Sequence, residues 1–293
     1  MSQLDFDTLW DYSYPEQTEA VFRQLLPQAE SDHGRSYYLQ LLTQIARAQG
    51  LQRQFAEAHK TLDNVKEALH AELVLPTIRY LLERGRVFNS SDQPGEAQNW
   101  FQQAWELARI HKDEAFFAVD AAHMLAIAAD SFEEKLRWNL VALQYAEASS
   151  DEPARGWCGS LYNNLGWMYH DQSDYERALD YFKRALQWQQ EYGTMIGIRV
   201  ARWSVGRTLR SLQHTTEALA LQQELLTEWE ESAEEQDGYV SEEIAECLLT
   251  LGHVAESRAY FAQAYSLLSR DRWLVAQEQE RLQRLQQLGA LAD

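Results

Sequence analysis

The residue types that usually perform catalysis or hold a metal are scattered singly along this sequence. The two cysteines, Cys158 and Cys247, lie 89 positions apart, a spacing that builds neither a zinc site nor a disulfide framework. The motifs that cradle phosphate, bind a dinucleotide or form the common zinc sites do not occur in the sequence. The acidic run 228–237 lacks the glycine and the alternating ligands of a calcium loop and is typical of a solvated helix end. We therefore expect no catalytic residues, no metal site and no cofactor.

The balance of charges excludes some classes of partner. The chain has 293 residues with 26 Lys+Arg against 45 Asp+Glu, which gives a formal net charge of −19. Because nucleic-acid binding draws its affinity from Lys and Arg that displace counterions, we expect no nucleic-acid partner. The first residues lack the basic-then-apolar order of a signal peptide, and no stretch approaches the ~20 apolar residues of a membrane span. We expect a cytoplasmic protein with no membrane segment.

The long segments of the chain predict an all-α fold. They are rich in Ala, Leu, Gln, Glu and Arg, and runs of Val, Ile and Thr with period two are absent. The five prolines fall between these segments, where a fixed φ and a missing N–H cost little. Apolar residues stand at helical spacing in two groups, namely Tyr162, Leu165, Gly166 and Tyr169, then Ala178, Phe182 and Ala185. Small residues at Gly166 and Ala178 would let two antiparallel helices approach closely, so this segment predicts a helical hairpin.

These residues resemble the tetratricopeptide repeat, whose W-x2-L-G-x2-Y…A-x3-F pattern they match almost throughout. The frame recurs along the chain, with its small first-helix position, here called the marker, at Ala46, Gly85, His123, Gly166, Gly206 and Ala245. The steps of 39, 38, 43, 40 and 39 residues exceed the usual 34. They are similar to the longer repeats of kinesin light chains and some bacterial peptide sensors. The copy at His123 is the weakest, because a histidine replaces the small residue and Lys135 stands where alanine is expected.

The resemblance implies a right-handed α-solenoid of about seven helical hairpins with a C-terminal capping helix. We expect a single domain over residues 1–293. Within it, residues 3–30 form a degenerate first hairpin, residues 38–270 form six repeats, and residues 271–289 form the cap. His123 is expected in the core between two helices, and Trp157 is expected to pack rather than to bind.

In proteins of this family, side chains of each first helix line a concave groove that holds a protein or peptide segment. Carried over residue by residue, the resemblance implies a groove formed by Asn163, Asn164, Trp167, His170, Trp203, Arg207, Arg210, Arg86 and Asn89. Amides can bond a peptide backbone, tryptophan faces receive apolar side chains, and guanidinium forks bind carboxylates. We therefore expect a non-enzymatic scaffold or adaptor that binds an acidic peptide segment.

Three alternatives stay open at the level of the sequence. The groove arginines could pair instead with Glu242 and Glu246, the carboxylates at the corresponding positions of the next hairpin. The chain could be a regulatory sensor in which a small signalling peptide or another small ligand changes the pitch of the superhelix. It could also self-associate through an exposed terminal hairpin.

Overall fold

The computed structural model describes residues 5–232 and 237–290, and it confirms the all-α prediction. Every regular element in these two ranges is a helix. The α-helices are α1 (Pro15–His33), α2 (Arg35–Leu51), α3 (Phe55–Ala68), α4 (Val74–Ser90), α5 (Pro94–Ala108), α6 (Ala115–Ala128), α7 (Phe132–Ala148), α8 (Glu152–Gly156), α9 (Cys158–Asp171), α10 (Tyr175–Tyr192), α11 (Met195–Ser211), α12 (Thr215–Glu231), α13 (Gly238–Thr250), α14 (Val254–Leu268), α15 (Arg272–Gln277) and α16 (Gln279–Gly289). Short 3-10 turns, Phe6–Leu9 and Lys112–Glu114, precede α1 and α6. No helix in the described ranges has the length and apolarity needed to span a bilayer.

The helices form an α-solenoid of antiparallel hairpins, divided into two compact units, residues 1–158 and 159–293. The first unit holds the hairpins α2/α3, α4/α5 and α6/α7, preceded by α1 and followed by α8. The second unit holds α9/α10, α11/α12 and α13/α14, followed by α15 and α16. In each unit the first helices of the successive hairpins present side chains to a common surface. We call these surfaces the α2–α4–α6 surface and the α9–α11–α13 surface.

All six hairpins keep the register that the marker residues predict. Each second helix begins nine residues after its marker, at Phe55, Pro94, Phe132, Tyr175, Thr215 and Val254. The hairpin of His123 follows the same count, although its marker is not small. The repeat is therefore a property of the whole array and not only of its best copies.

The small marker residue makes room for a ring of the second helix. A Cβ atom added at Gly166 would lie 2.5 Å from Cε1 of Phe182, and Gly85 faces the ring of Phe101 in the same way. Both phenylalanines are fully buried. The sequence correctly predicted that the two helices of a hairpin approach closely at the marker. The space beside Gly166 is filled by the ring of Phe182, which lies four residues after Ala178.

In the hairpin of His123, the marker on the first helix is large and the residue of the second helix at the facing position is smaller. The position that Phe101 and Phe182 occupy in their hairpins is taken here by Asn139, which is 6% exposed. The side-chain Nδ2 of Asn139 donates to the carbonyl of Lys135 at 2.9 Å, within its own helix. A smaller partner on α7 thus accompanies the larger marker on α6.

Five of the six hairpins join their helices through the same turn. One residue of each turn has φ between 59° and 84°, namely Arg53, Asp92, Ser173, Gln213 and Gly252. The amide of the following residue donates to the carbonyl five positions earlier at 2.9–3.0 Å, which is the Schellman arrangement at a helix end. The α6/α7 connection is different, because its backbone is extended at Ala129 and the Ser131 side chain caps α7.

The two ends of the chain differ from the sequence prediction. The predicted first hairpin contains one α-helix, because α1 begins at Pro15 and continues past Pro27 to His33. Phe22 and Ala29, on either side of Pro27, are both buried against α2, and this packing outweighs the amide donor that the proline removes. The predicted cap is two helices, which meet at Glu278, and Leu274 and Leu285 from each of them are buried on α14. Of the acidic run, residues 233–236 lie outside the described residues.

Candidate functional site

Three aromatic side chains form a continuous row on the α9–α11–α13 surface. The rings of Trp167 and Trp203 have centroids 5.7 Å apart, and those of Trp203 and Tyr239 are 5.8 Å apart. The indole N–H of Trp203 donates to the Tyr239 carbonyl at 3.2 Å, which fixes the orientation of the ring. The structure thus brings together both tryptophans of the predicted groove. Asn163 and Asn164 lie half-buried on α9.

The predicted groove arginines of this surface share one buried carboxylate. Arg210 donates to both oxygens of Glu243 at 2.7 and 2.9 Å, and Nε of Arg207 lies 3.0 Å from Oε1 of the same residue. Glu243 is only 4% exposed. Pairing between repeats therefore does occur, but its partner is Glu243 and neither of the two carboxylates considered from the sequence.

Those two carboxylates bind the C-terminal helix instead. Glu242 accepts from Nε of Arg281 at 2.9 Å, and Glu246 accepts from Nη2 of Arg284 at 3.1 Å. Both arginines belong to α16, one turn apart on the face that packs on the preceding hairpin. The C-terminal helix thus binds the two carboxylates that the sequence left open as partners of the groove arginines.

His170 lies at the edge of the aromatic row. Its Nε2 is 3.0 Å from the hydroxyl of Ser211, and its ring is 5.2 Å from that of Trp167. Burial lowers the pKa of His170, and the nearby charge of Arg207 lowers it further. The ring therefore acts as a hydrogen-bonding and packing group of the surface.

The thiol of Cys247 lies behind this surface on α13. Burial and the negative charge of Glu243 raise its pKa to about 12. Because the thiolate is the reactive form, we expect no measurable labelling of native Cys247 by a disulfide reagent at about pH 8. Absorbance of the released thiol in a Cys158→Ser variant isolates the reaction, and rapid labelling before any denaturant is added would contradict the buried position.

A second constellation, on the α2–α4–α6 surface, contains the predicted residues Arg86 and Asn89. Arg86 donates to both oxygens of Asp120 at 2.6 Å and to Glu83 at 2.6 Å. Glu83 also accepts from Arg47 at 3.3 Å, so one carboxylate of α4 joins arginines of two helices. Burial opposes the charge of Arg86, but the carboxylates of Asp120 and Glu83 outweigh it and raise the pKa of Arg86. Asn89 is half-buried beside a smaller cavity of about 160 Å³.

The ion pairs of Arg86 form one wall of a cavity of about 410 Å³. Its charged lining is balanced, with three arginines and three carboxylates, namely Arg47, Arg79, Arg86, Asp7, Glu83 and Asp120. Aromatic rings complete the walls at Trp10, Tyr12, Phe116, Phe117 and Trp157. The cavity combines guanidinium forks with apolar faces, as a site for a charged and partly aromatic segment requires.

Three buried polar atoms of residues that line this cavity have no hydrogen-bond partner among the described residues. They are Nε of Arg79, Oε2 of Glu83 and Nδ1 of His123. The imidazole of His123 lies beside Trp157, with ring centroids 5.2 Å apart, so both residues face the cavity. Burial and the charge of Arg86 lower the pKa of His123, while Asp120 acts in the opposite direction. The sequence analysis had placed both residues in packing roles only.

The lowered pKa of His123 predicts a pH-dependent stability. Below the ordinary histidine pKa of about 6.5, the unfolded chain takes up a proton that the folded chain does not, so stability falls as the pH decreases. Urea denaturation at about pH 7.5 and 5.5 should show a smaller loss in a His123→Gln variant than in the unmodified chain. An equal loss in the two proteins would show that His123 does not contribute.

The described residues contain no group of three or more His, Cys, Asp or Glu side chains placed to hold a metal ion. The charged side chains of both surfaces are engaged with one another through ion pairs and hydrogen bonds. The arrangement is suited to recognition through charge, amide and ring contacts.

The array of antiparallel helical hairpins has the fold of tetratricopeptide-repeat proteins, and the family comparison matches one of its hairpins. The family model described as Tetratricopeptide repeat matches residues 160–187, the segment formed by α9 and the first part of α10. No curated protein matches the chain in a sequence search.

Solved structures with the same fold extend over most of the chain. The apo form of RapI is 13% identical over 88% of this chain and 73% of its own, with a TM-score of 0.69. BtubC from P. vanneervenii is 14% identical over 80% of this chain and 95% of its own, with a TM-score of 0.59. A signal transduction ATPase with a tetratricopeptide repeat sensor, from Pyrococcus horikoshii, is 15% identical over 92% of this chain, with a TM-score of 0.70. This chain spans 42% of that ATPase.

Proposed function

We propose that the chain is a non-catalytic interaction protein that binds a peptide segment of a partner on its α2–α4–α6 surface. The observation that carries this proposal is the cavity of about 410 Å³, in which guanidinium groups and aromatic rings face the same space. Its volume falls within the range of ~300–1,000 Å³ that is usual for ligand pockets. The fold supports the general role, since helical repeat arrays provide extended binding surfaces.

The chemistry of the walls indicates the kind of segment that fits. Arg47 lies 5.7 and 5.4 Å over the rings of Trp10 and Tyr12, and its side chain is 27% exposed. Its weak contact with Glu83, at 3.3 Å, leaves donors available for an incoming carboxylate. An acidic peptide with an aromatic or other apolar side chain matches these features. The groove predicted around Trp167 and Trp203 is a second candidate surface for the same role.

The proposal is tested with peptides selected from a displayed random library on the full chain. We expect an enriched peptide to bind about tenfold more weakly to an Arg47→Ala variant, because a charge-assisted hydrogen bond contributes about 1.5–3 kcal/mol. The matched control is Arg109→Ala, because Arg109 is an exposed arginine that pairs with Glu106 at 2.5 Å and does not line the cavity. Fluorescence anisotropy with the labelled peptide provides the affinities.

Two outcomes would overturn the proposal. Failure to enrich any peptide would remove the binding role. Retained affinity in Arg47→Ala together with lost affinity in Asn163→Ala or Arg207→Ala would move the site to the α9–α11–α13 surface.

A sensor role is the alternative to a scaffold. It is favoured by the shared fold with the repeat region of the Pyrococcus horikoshii ATPase, which is described as a sensor. A sensor should compact when the selected peptide binds, and this is seen as a smaller radius of gyration in solution scattering. A scaffold should keep its profile. Light scattering over a range of concentrations tests self-association in the same samples.

A further inference from the structure

The segment that precedes α1, residues 5–14, lies on the α2–α4–α6 surface and forms part of the cavity. Both oxygens of Asp7 accept from the guanidinium of Arg79 on α4, with Nη1 to Oδ1 at 3.1 Å. The indole N–H of Trp10 donates to Oε1 of Gln44 on α2 at 3.1 Å. Trp10 and Tyr12 stack with their centroids 4.8 Å apart and 7° between their planes.

These contacts are those by which a groove holds a foreign peptide. A carboxylate lies in a guanidinium fork, an indole donates to a side-chain amide, and two rings lie under the guanidinium of Arg47. Arg79 and Arg47 lie on the first helices α4 and α2, and both line the cavity. The segment supplies the acidic and aromatic chemistry that the proposed partner needs.

Several of the contacts between this segment and the α2–α4–α6 surface involve exposed side chains, which a competing peptide can displace. The side chain of Asp7 is 42% exposed and Tyr12 is 58% exposed, and interactions of such exposed groups add little to stability. Phe6, in contrast, is 4% exposed and packs edge-on against Phe22 and Tyr37. The segment therefore has a fixed anchor at Phe6, while Trp10 packs at the edge of the same cluster, 5.3 Å from the ring of Phe22, and Asp7 and Tyr12 reach toward solvent.

We propose that residues 7–12 are a displaceable intramolecular ligand of the α2–α4–α6 surface. They occupy its carboxylate and indole subsites until a partner peptide with an acidic residue three positions before an aromatic one replaces them. This proposal rests on the proposed function in that it assigns the partner chemistry of the same surface. Its added content is that residues of the chain itself already occupy the carboxylate and indole subsites beside the open part of the cavity.

The test uses a fluorophore-labelled synthetic peptide with the sequence of residues 5–14. In the unmodified chain, the tethered segment competes at an effective concentration of about 1 mM. For an intrinsic dissociation constant near 0.1 mM, the apparent affinity of the peptide should rise about tenfold when the tethered copy is disabled. The disabling variant is Asp7→Ala/Trp10→Ala, which keeps Phe6 in the core.

Three controls make the result specific. Tyr14→Ala changes an exposed aromatic residue of the same segment that does not line the cavity, and it should leave the affinity as in the unmodified chain. A labelled peptide with Asp7→Ala/Trp10→Ala should not bind to either protein. Arg47→Ala in the disabling variant should remove the gained affinity. If the double variant does not fold, Trp10→Ala alone should give a smaller gain of the same sign.

Equal affinity of the peptide for the unmodified chain and the disabling variant, or no binding to either, would overturn the inference. The library-selected peptides separate this failure from that of the proposed function. If they bind the unmodified chain and depend on Arg47 while the segment peptide does not bind, only the intramolecular ligand is disproved.

Discussion

Replacement of Glu243 by alanine should lower the free energy of unfolding by about 3 kcal/mol, since removal of one partner of a buried ion pair costs about 3–5 kcal/mol. The carboxylate is 4% exposed and accepts from Arg210 at 2.7 and 2.9 Å, while Nε of Arg207 lies 3.0 Å away. Without it, two guanidinium groups of α11 face each other across the contact with α13 with no negative charge between them. Urea denaturation followed by far-ultraviolet circular dichroism measures the change.

The matched control for this prediction is Glu224→Ala. Glu224 lies 3.1 Å from Arg202 in the same unit, but its side chain is 68% exposed. An exposed substitution of this kind changes stability by no more than about 0.5 kcal/mol. A loss below 1 kcal/mol for Glu243→Ala, or equal losses for the two variants, would contradict the role of Glu243 as the charge that joins the two repeats.

Gly166→Ala should destabilise the chain by about 2 kcal/mol, because overpacking of a filled core costs about 1–3 kcal/mol. The new Cβ would lie 2.5 Å from Cε1 of Phe182, whose ring is fully buried and contacts Trp167 at a centroid distance of 5.0 Å. In an unconstrained helix the same substitution would stabilise by up to about 1 kcal/mol. The sign of the measured change therefore reports the packing.

Gly95→Ala provides the control, since it lies in the first turn of α5 and a Cβ there meets nothing within 4 Å. It should leave the midpoint of urea denaturation unchanged or raise it slightly. A second variant, Phe182→Leu in the Gly166→Ala background, should recover part of the loss. If Gly166→Ala is neutral, the ring of Phe182 does not limit the approach of α9 and α10.

The sequence was sufficient to predict the hairpins because their chemistry is local. Gly166 and Phe182 belong to the same pair of helices, so their spacing within one repeat carries the information about their contact. The same argument identified His123 as the irregular copy. The ends of the array were predicted less well, because whether α1 continues past Pro27 depends on the packing of Phe22 and Ala29 against another helix.

The partners of the arginines could not be predicted with the same certainty. A count of helix positions places Glu242 and Glu246 opposite Arg207, but adjacent repeats are offset so that Glu243 lies between Arg207 and Arg210. That offset follows from how whole hairpins pack, and no spacing within one repeat encodes it. In addition, the capping helix provides arginines for the two expected carboxylates.

The cavity of the first unit was missed for a related reason. Its walls combine Asp7 and Trp10 with side chains of α2, α4 and α6 and with Trp157, so residues from 7 to 157 meet in one place. No local pattern links them. A sequence signal does exist in the segment before α1, where acidic and aromatic residues alternate in a chain whose first helices carry arginines, but it becomes informative only once the fold places both on one surface.

The shared turn between paired helices has a consequence for how such a chain tolerates change. Because its geometry depends on backbone torsions and on one hydrogen bond between main-chain atoms, residues as different as Arg53, Asp92 and Ser173 serve equally in the left-handed position. The number of residues in the connection has no such freedom. One inserted residue would rotate the second helix by about 100° relative to its neighbours and turn its buried stripe toward water. These turns therefore tolerate the substitution of one amino acid by another, but they do not tolerate the insertion or deletion of a single residue.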